Sequence, residues 1–257
     1  MDRTGIVRAA VVALGMVVAA PAWAQPAAQP APAPAEADVA RALSRAVAAW
    51  DRSCAHVDAL GLCVTRKRTA SARYCTGAYV RIRHERKTHA ARKATAALAR
   101  ALALYDRTDP AVKSKLAAQA AAATMRQGDA AVEALLAVPF PTNIDFPVKD
   151  EARMKASMKI FKGWMVHIQT HSKEIHDRYA TAARMGHPAV RALAQARAVA
   201  ARSALADLLE MGYVPRSVRT GAYAADKLAA YCNELAAQAA PLRPAPPPAT
   251  PAAPPAP

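Results

Sequence analysis

Two imidazoles and a carboxylate share one stripe of a helical stretch: His167, His171 and Glu174. Spacings of four and three place them one above another on a helix. Histidines at i and i+4 share a metal when a further ligand lies a turn away. The alternative is an ordinary amphipathic surface, with Glu174 paired to Arg178 at i, i+4. His176 falls on another face. Met154, Met158 and Met165 have soft sulfur for copper, but they recur at the positions where methionine fills core gaps. The chain has no G-x-S-x-G, Walker loop, dinucleotide fingerprint or H-E-x-x-H. With 19 acids in all, paired carboxylates are scarce. The expectation is a protein that is not an enzyme and carries no cofactor, with metal binding by His167, His171 and Glu174 as one alternative.

A second chemistry is charge. The formal net charge is +16. The excess concentrates in Arg66, Lys67, Arg68, Arg73, Arg81, Arg83, Arg86, Lys87, Arg92, Lys93 and Arg100, opposed in that span by Glu85 alone. Such a segment attracts anionic lipid, acidic glycan or nucleic acid. Read as one helix, it is alternatively a solvated face that keeps an Ala-rich protein in solution. Trp50, Trp164 and Tyr213 are candidates for exposed contacts or for helix packing.

The third chemistry is thiol. Cys54, Cys63, Cys75 and Cys232 make an even set, which reads as two disulfides in an oxidising compartment. Three pairings are open. Cys54–Cys63 with Cys75–Cys232 is preferred, since it leaves a local clip and one bridge joining the domain's ends. The absence of C-x-x-C speaks against a redox centre or zinc knuckle.

The compartment is set by residues 1–24. Arg3 and Arg8 precede the apolar run Ala9–Ala20, and Ala22-Trp23-Ala24 closes it. That is a Sec-type signal peptide, with cleavage expected after Ala24 and delivery to the periplasm. No later stretch is apolar enough to span a membrane.

These residues need elements to position them. Hydrophobic residues are 53% of the chain but aromatics only 5%, because Ala dominates, and Ala has the best helix propensity. The reading is all-α, an antiparallel helical bundle or short helical stack with disordered Ala/Pro-rich termini. Residues 25–37 form a linker, 38–240 the helical domain and 241–257 a Pro-rich tail.

The first helix spans 38–57 and a long second one about 69–107. The third starts at Asp109-Pro110, an N-cap followed by proline at the first helical position. It runs towards Leu136, with a potential break at Gly128-Asp129. The fourth carries a heptad-like seam: Met154, Met158, Phe161, Met165, Ile168, Ser172, Ile175 and Tyr179. It stops at Gly186. His187-Pro188 opens the fifth helix, which ends at Gly212. A last helix runs to about Ala240, bearing Tyr223, Leu228, Tyr231 and Leu235.

Four stretches of the C-terminal half carry a resemblance: PFPTNIDFP, RMKASMKIFKGWMVHIQTHSKEIHDRY, MGHPAVRALAQARAVAARSALADLLEMGYVP and AYAADKLAAYCNELAAQAAPL. They resemble a helical region of myxobacterial and related deltaproteobacterial envelope proteins of gliding-motility type, which carry tetratricopeptide repeats upstream. The match covers about residues 115–242. His187-Pro188 and Val214-Pro215 stand where that family has its helix-joining step and its turn. No repeat array is visible in this chain. The resemblance implies an envelope-associated interaction protein without catalysis, working with an envelope protein partner. Oligomeric state is left open.

Overall fold

The computed structural model describes residues 33–58, 61–185 and 188–243. The expected signal peptide, residues 25–32 of the linker, residues 244–257 of the tail, and the Gly186 and His187 positions lie outside these.

The described chain is mostly helical, with one small sheet. Its elements run α1 (Glu36–Arg52), β1 (Val64–Ala70), β2 (Ala78–His84), α2 (Thr88–Asp106), α3 (Pro110–Leu136), α4 (Glu151–Met185), α5 (Pro188–Glu210), α6 (Arg216–Arg219) and α7 (Ala224–Ala239). A short 3-10 turn, Ala240–Leu242, follows. No helix among the described residues is long and apolar enough to cross a membrane.

The hairpin corrects the expected long second helix. The segment AYVRIRH alternates, with Val80 and Ile82 half-buried and Arg81 and Arg83 exposed. That period of two, with β-branched and aromatic residues, is strand chemistry. β1 pairs antiparallel with β2, Val64 opposite His84 and Ala70 opposite Ala78. Helix begins only at Thr88. The ends also move. α1 starts at Glu36, inside the expected linker, and stops at Arg52. Arg243, assigned to the disordered tail, is clamped between Asp207 (2.8 Å) and Glu210 (2.6 Å) of α5.

α3 is the common wall of two apolar clusters. On one side Val39, Leu43 and Trp50 of α1 meet Leu98 and Tyr105 of α2 and Leu116 of α3. On the other, Met125, Val132 and Leu135 of α3 meet Ile168, Ile175 and Tyr179 of α4, Leu205 and Leu209 of α5, and Leu235 of α7. α3 starts as the sequence implies, Asp109 accepting from the amide of Val112 at 3.0 Å. It does not break at Gly128. A Cβ there would sit 2.8 Å from Cε1 of Tyr179, so glycine is what lets α4 approach this closely. The tyrosine hydroxyl then donates to fully buried Asp129 (2.8 Å).

The α4 seam holds from Ile168 onwards but drifts upstream. There the buried positions are Ser157 and Trp164, while Met158 is exposed and Phe161 and Met165 are half-buried. The α3–α4 connector causes the shift. Ser157 Oγ accepts from the Asp145 amide (2.9 Å), and Phe140 lies 4.7 Å from the Trp164 ring. On the last helix, Leu235 is buried and Tyr231 half-buried, but Tyr223 and Leu228 face solvent.

Candidate functional site

Two disulfides frame the hairpin: Cys54–Cys63 at its base and Cys75–Cys232 at its tip. This is the preferred pairing among the three open ones. The tip loop is also stitched to the turn after α5. The Cys75 amide donates to Gly212 O (3.1 Å) and the Val214 amide to Arg73 O (2.8 Å). Tyr74 stacks on Tyr79 at 4.7 Å and meets Tyr213 edge-on at 5.9 Å. Burial and these neighbouring rings push the Tyr74 hydroxyl above its ordinary pKa.

The base is held by Arg86 and Glu133, whose side chains are 4% and 7% exposed. Arg86 donates from Nε and Nη2 to the two Glu133 oxygens, both at 2.9 Å. Its Nη1 donates to Trp50 O (2.7 Å), and the guanidinium lies 3.6 Å from the Trp50 ring centre. Glu133 also accepts from the Cys63 amide at 2.8 Å. Arg86 therefore leaves the polyanion-binding set: its charge is consumed in tying the hairpin to α3.

The remaining basic residues divide between two elements. Cross-strand partners share a face, so exposed Thr65 and Lys67 stand with exposed Arg83 and Arg81, and half-buried Thr69 with half-buried Tyr79. Lys67 stands directly opposite Arg81. Arg83 has Glu85 at 3.5 Å, and half-buried Arg66 has Asp58 at 3.4 Å. Exposed Lys67, Arg68, Arg73 and Arg81 make no ion pair among the described residues. Lys87, Arg92, Lys93 and Arg100 are exposed at or along α2. The basic stripe is thus a ribbon followed by a helix rather than one helical face.

Beside the ribbon lies an apolar slot of ≈ 320 Å³, with Tyr79, Ile82, Leu136, Phe140, Leu208 and Met211 in its walls. Arg81 is the charged residue in that lining, and no acid joins it.

His167, His171 and Glu174 do come together, on the wall of a ≈ 580 Å³ groove between α2, α3 and α4. The imidazole centres are 4.3 Å apart, and His171 Nδ1 is 3.3 Å from Glu174 Oε2. Glu174, however, takes Arg178 Nη2 at 2.5 Å, and Arg178 also donates to Gln127 at 2.8 Å. Those hydrogen bonds hold the Glu174 carboxyl below the usual glutamate range. One oxygen of that carboxylate, Oε1, is thus committed to a guanidinium, while Oε2 faces His171. Among the described residues no group of three His, Cys, Asp or Glu side chains is arranged to hold a metal ion. Of the aromatics, Trp50 and Trp164 are packed into the two clusters, and Tyr213 is half-buried beside Tyr74.

Sequence reading missed Tyr74, Tyr79 and the buried acids Asp129 and Glu133. The V-R-I-R alternation was the signal for the first pair. Two acids at i, i+4 on an Ala-rich helix were the signal for the second. No known family, characterised protein or solved structure matches this chain.

Proposed function

We propose that this chain is a non-catalytic interaction module of a bacterial cell envelope, meeting an acidic partner through the outer face of its hairpin. One observation carries the reading: a ribbon tied by a disulfide at each end presents Lys67 and Arg81 directly opposite each other, and neither makes an ion pair among the described residues. Like charges directly opposite destabilise a strand pair. Their retention on a covalently fixed element has a physical rationale if an anion sits between them. Export through the signal peptide to the periplasm is supported by the paired cysteines, which persist in oxidising compartments. An antiparallel helical bundle is supported by the packing of α3 on α4 and α4 on α5. The kinship with tetratricopeptide-bearing envelope proteins rests on the four sequence stretches.

Capture from envelope extracts tests the reading. The chain lacking residues 1–24 should retain a defined protein at moderate salt, and K67E/R81E should lose it. Identical recovery by both, or recovery of nothing, removes the hypothesis. A second reading, direct polyanion binding, is favoured by the same Lys67–Arg81 pair. It requires affinity to fall steeply between low and physiological salt, because exposed charges are screened.

A further inference from the structure

We infer that the hairpin edge binds an acidic amphiphile, with its headgroup on Arg81 and Lys67 and its hydrocarbon chain in the slot beneath β2. This deepens the reading that the ribbon's outer face takes an acidic partner, and it rests on that reading. Three observations converge. The first is the lone pair of cross-strand cations, Lys67 opposite Arg81. The second is the slot, whose ≈ 320 Å³ falls at the lower end of the range for small-molecule sites. The third is their junction: Arg81 belongs to both.

A nucleic acid or an acidic glycan would use the cations and leave the slot empty. A neutral lipid would use the slot and leave the cations unpaired. A single molecule with a phosphate or carboxylate at one end and methylenes at the other uses both. Desolvating hydrocarbon in the slot supplies affinity in proportion to area buried. Charge pairing at the rim selects acidic over zwitterionic headgroups. The slot also has rigid walls. Leu136 ends α3, Leu208 lies on α5, and the tip above them is held by Cys75–Cys232.

The experiment is titration of the chain lacking residues 1–24, disulfides intact, with monomeric dihexanoyl phosphatidylglycerol. Dihexanoyl phosphatidylcholine, glycerol phosphate and a short single-stranded DNA are the comparisons. Phosphatidylglycerol should bind most tightly. R81E should weaken it about fivefold and K67E/R81E about thirtyfold, bringing it to the level of phosphatidylcholine. Thr142 is exposed at the slot, so T142F narrows the slot without touching the core. It should weaken both lipids about tenfold, the worth of two buried methylenes. Trp164, 4.7 Å from Phe140, gives a second readout: its emission should change with lipid and not with glycerol phosphate.

Equal binding of the two lipids, or glycerol phosphate binding as tightly as the lipid, overturns the inference. So does DNA binding more tightly than phosphatidylglycerol, or indifference of the lipid to T142F. Circular dichroism confirms that each variant is folded, and R81Q replaces R81E if the reversal disturbs the ribbon. If lipid binding fails while K67E/R81E still abolishes partner capture from extracts, only this inference falls. If both are indifferent to the charges, the parent reading falls with it.

Discussion

Arg86 and Glu133 satisfy each other almost completely out of water, and their worth is visible only when one is removed. Truncating a single partner of a buried pair typically costs about 3–5 kcal/mol, because the other charge is stranded. E133A should therefore lower stability to urea by about that much. Replacing both, as R86M/E133L, should cost clearly less than E133A alone. A double variant as damaged as the single would show that the pair's role is misread.

Gly128 makes a different demand. G128A drives a methyl into the Tyr179 ring, and overpacking of this sort costs about 1–3 kcal/mol. Thermal unfolding should show the loss, although alanine is the better helix former.

Asp145 gives the molecule an acid limb. Burial raises its carboxyl, but hydrogen bonds from Ser217 and Phe146 and the nearby Arg153 outweigh this and set it below the ordinary aspartate value. A depressed folded value means that its stabilisation is complete above about pH 3.9, the unfolded value. It drains away as pH falls through the folded value. In D145N, urea midpoints measured down the acid range should lack that limb.

At the scale of elements, the hairpin separates stability from binding. In K67E the like pair becomes an opposite one, worth about 0.2–1 kcal/mol in favour of the folded state. The same change should weaken any acidic ligand. A variant that is both tighter in fold and poorer in binding is the outcome expected; stabilisation without loss of binding would point away from the ribbon.

The helices were legible because Ala-rich amphipathic runs with Pro and Asp at their starts carry their own boundaries. Asp109-Pro110 and the Ile168–Tyr179 seam are examples. The strands were not, because seven-residue segments crowded with Lys and Arg resemble a solvated helix by composition. Only the two-residue period betrays them. The His167–His171–Glu174 stripe was legible as geometry, and so was its rival, the Glu174–Arg178 pair at i, i+4; what nothing local announces is that Gln127 of α3 also holds Arg178. The upstream drift of the α4 seam was equally hidden, since Phe140 and Asp145 impose it from another element.

At the scale of the molecule, α3 runs through both apolar clusters, so neither can be lost without exposing the other's wall. The Cys75–Cys232 bridge joins positions 157 apart in sequence, with α2 to α5 between them. Cross-links over long loops restrict the unfolded chain most, and removal of a native one commonly costs about 2–5 kcal/mol. C75S/C232S should unfold at correspondingly lower urea, while C54S/C63S, closing a separation of nine, should lose less.

The same bridge has a mechanical meaning. A pull applied beyond Arg243 enters α7 and reaches Cys232 within three turns of helix. From there a covalent route leads to the hairpin's tip, in parallel with the packing of Leu235 and Ala239 of the same helix against α3, α4 and α5. Load on the C-terminus is thereby divided between α5, through the Arg243 clamp, and the cationic ribbon, through the disulfide, so a tether at one end is coupled to what is gripped at the other.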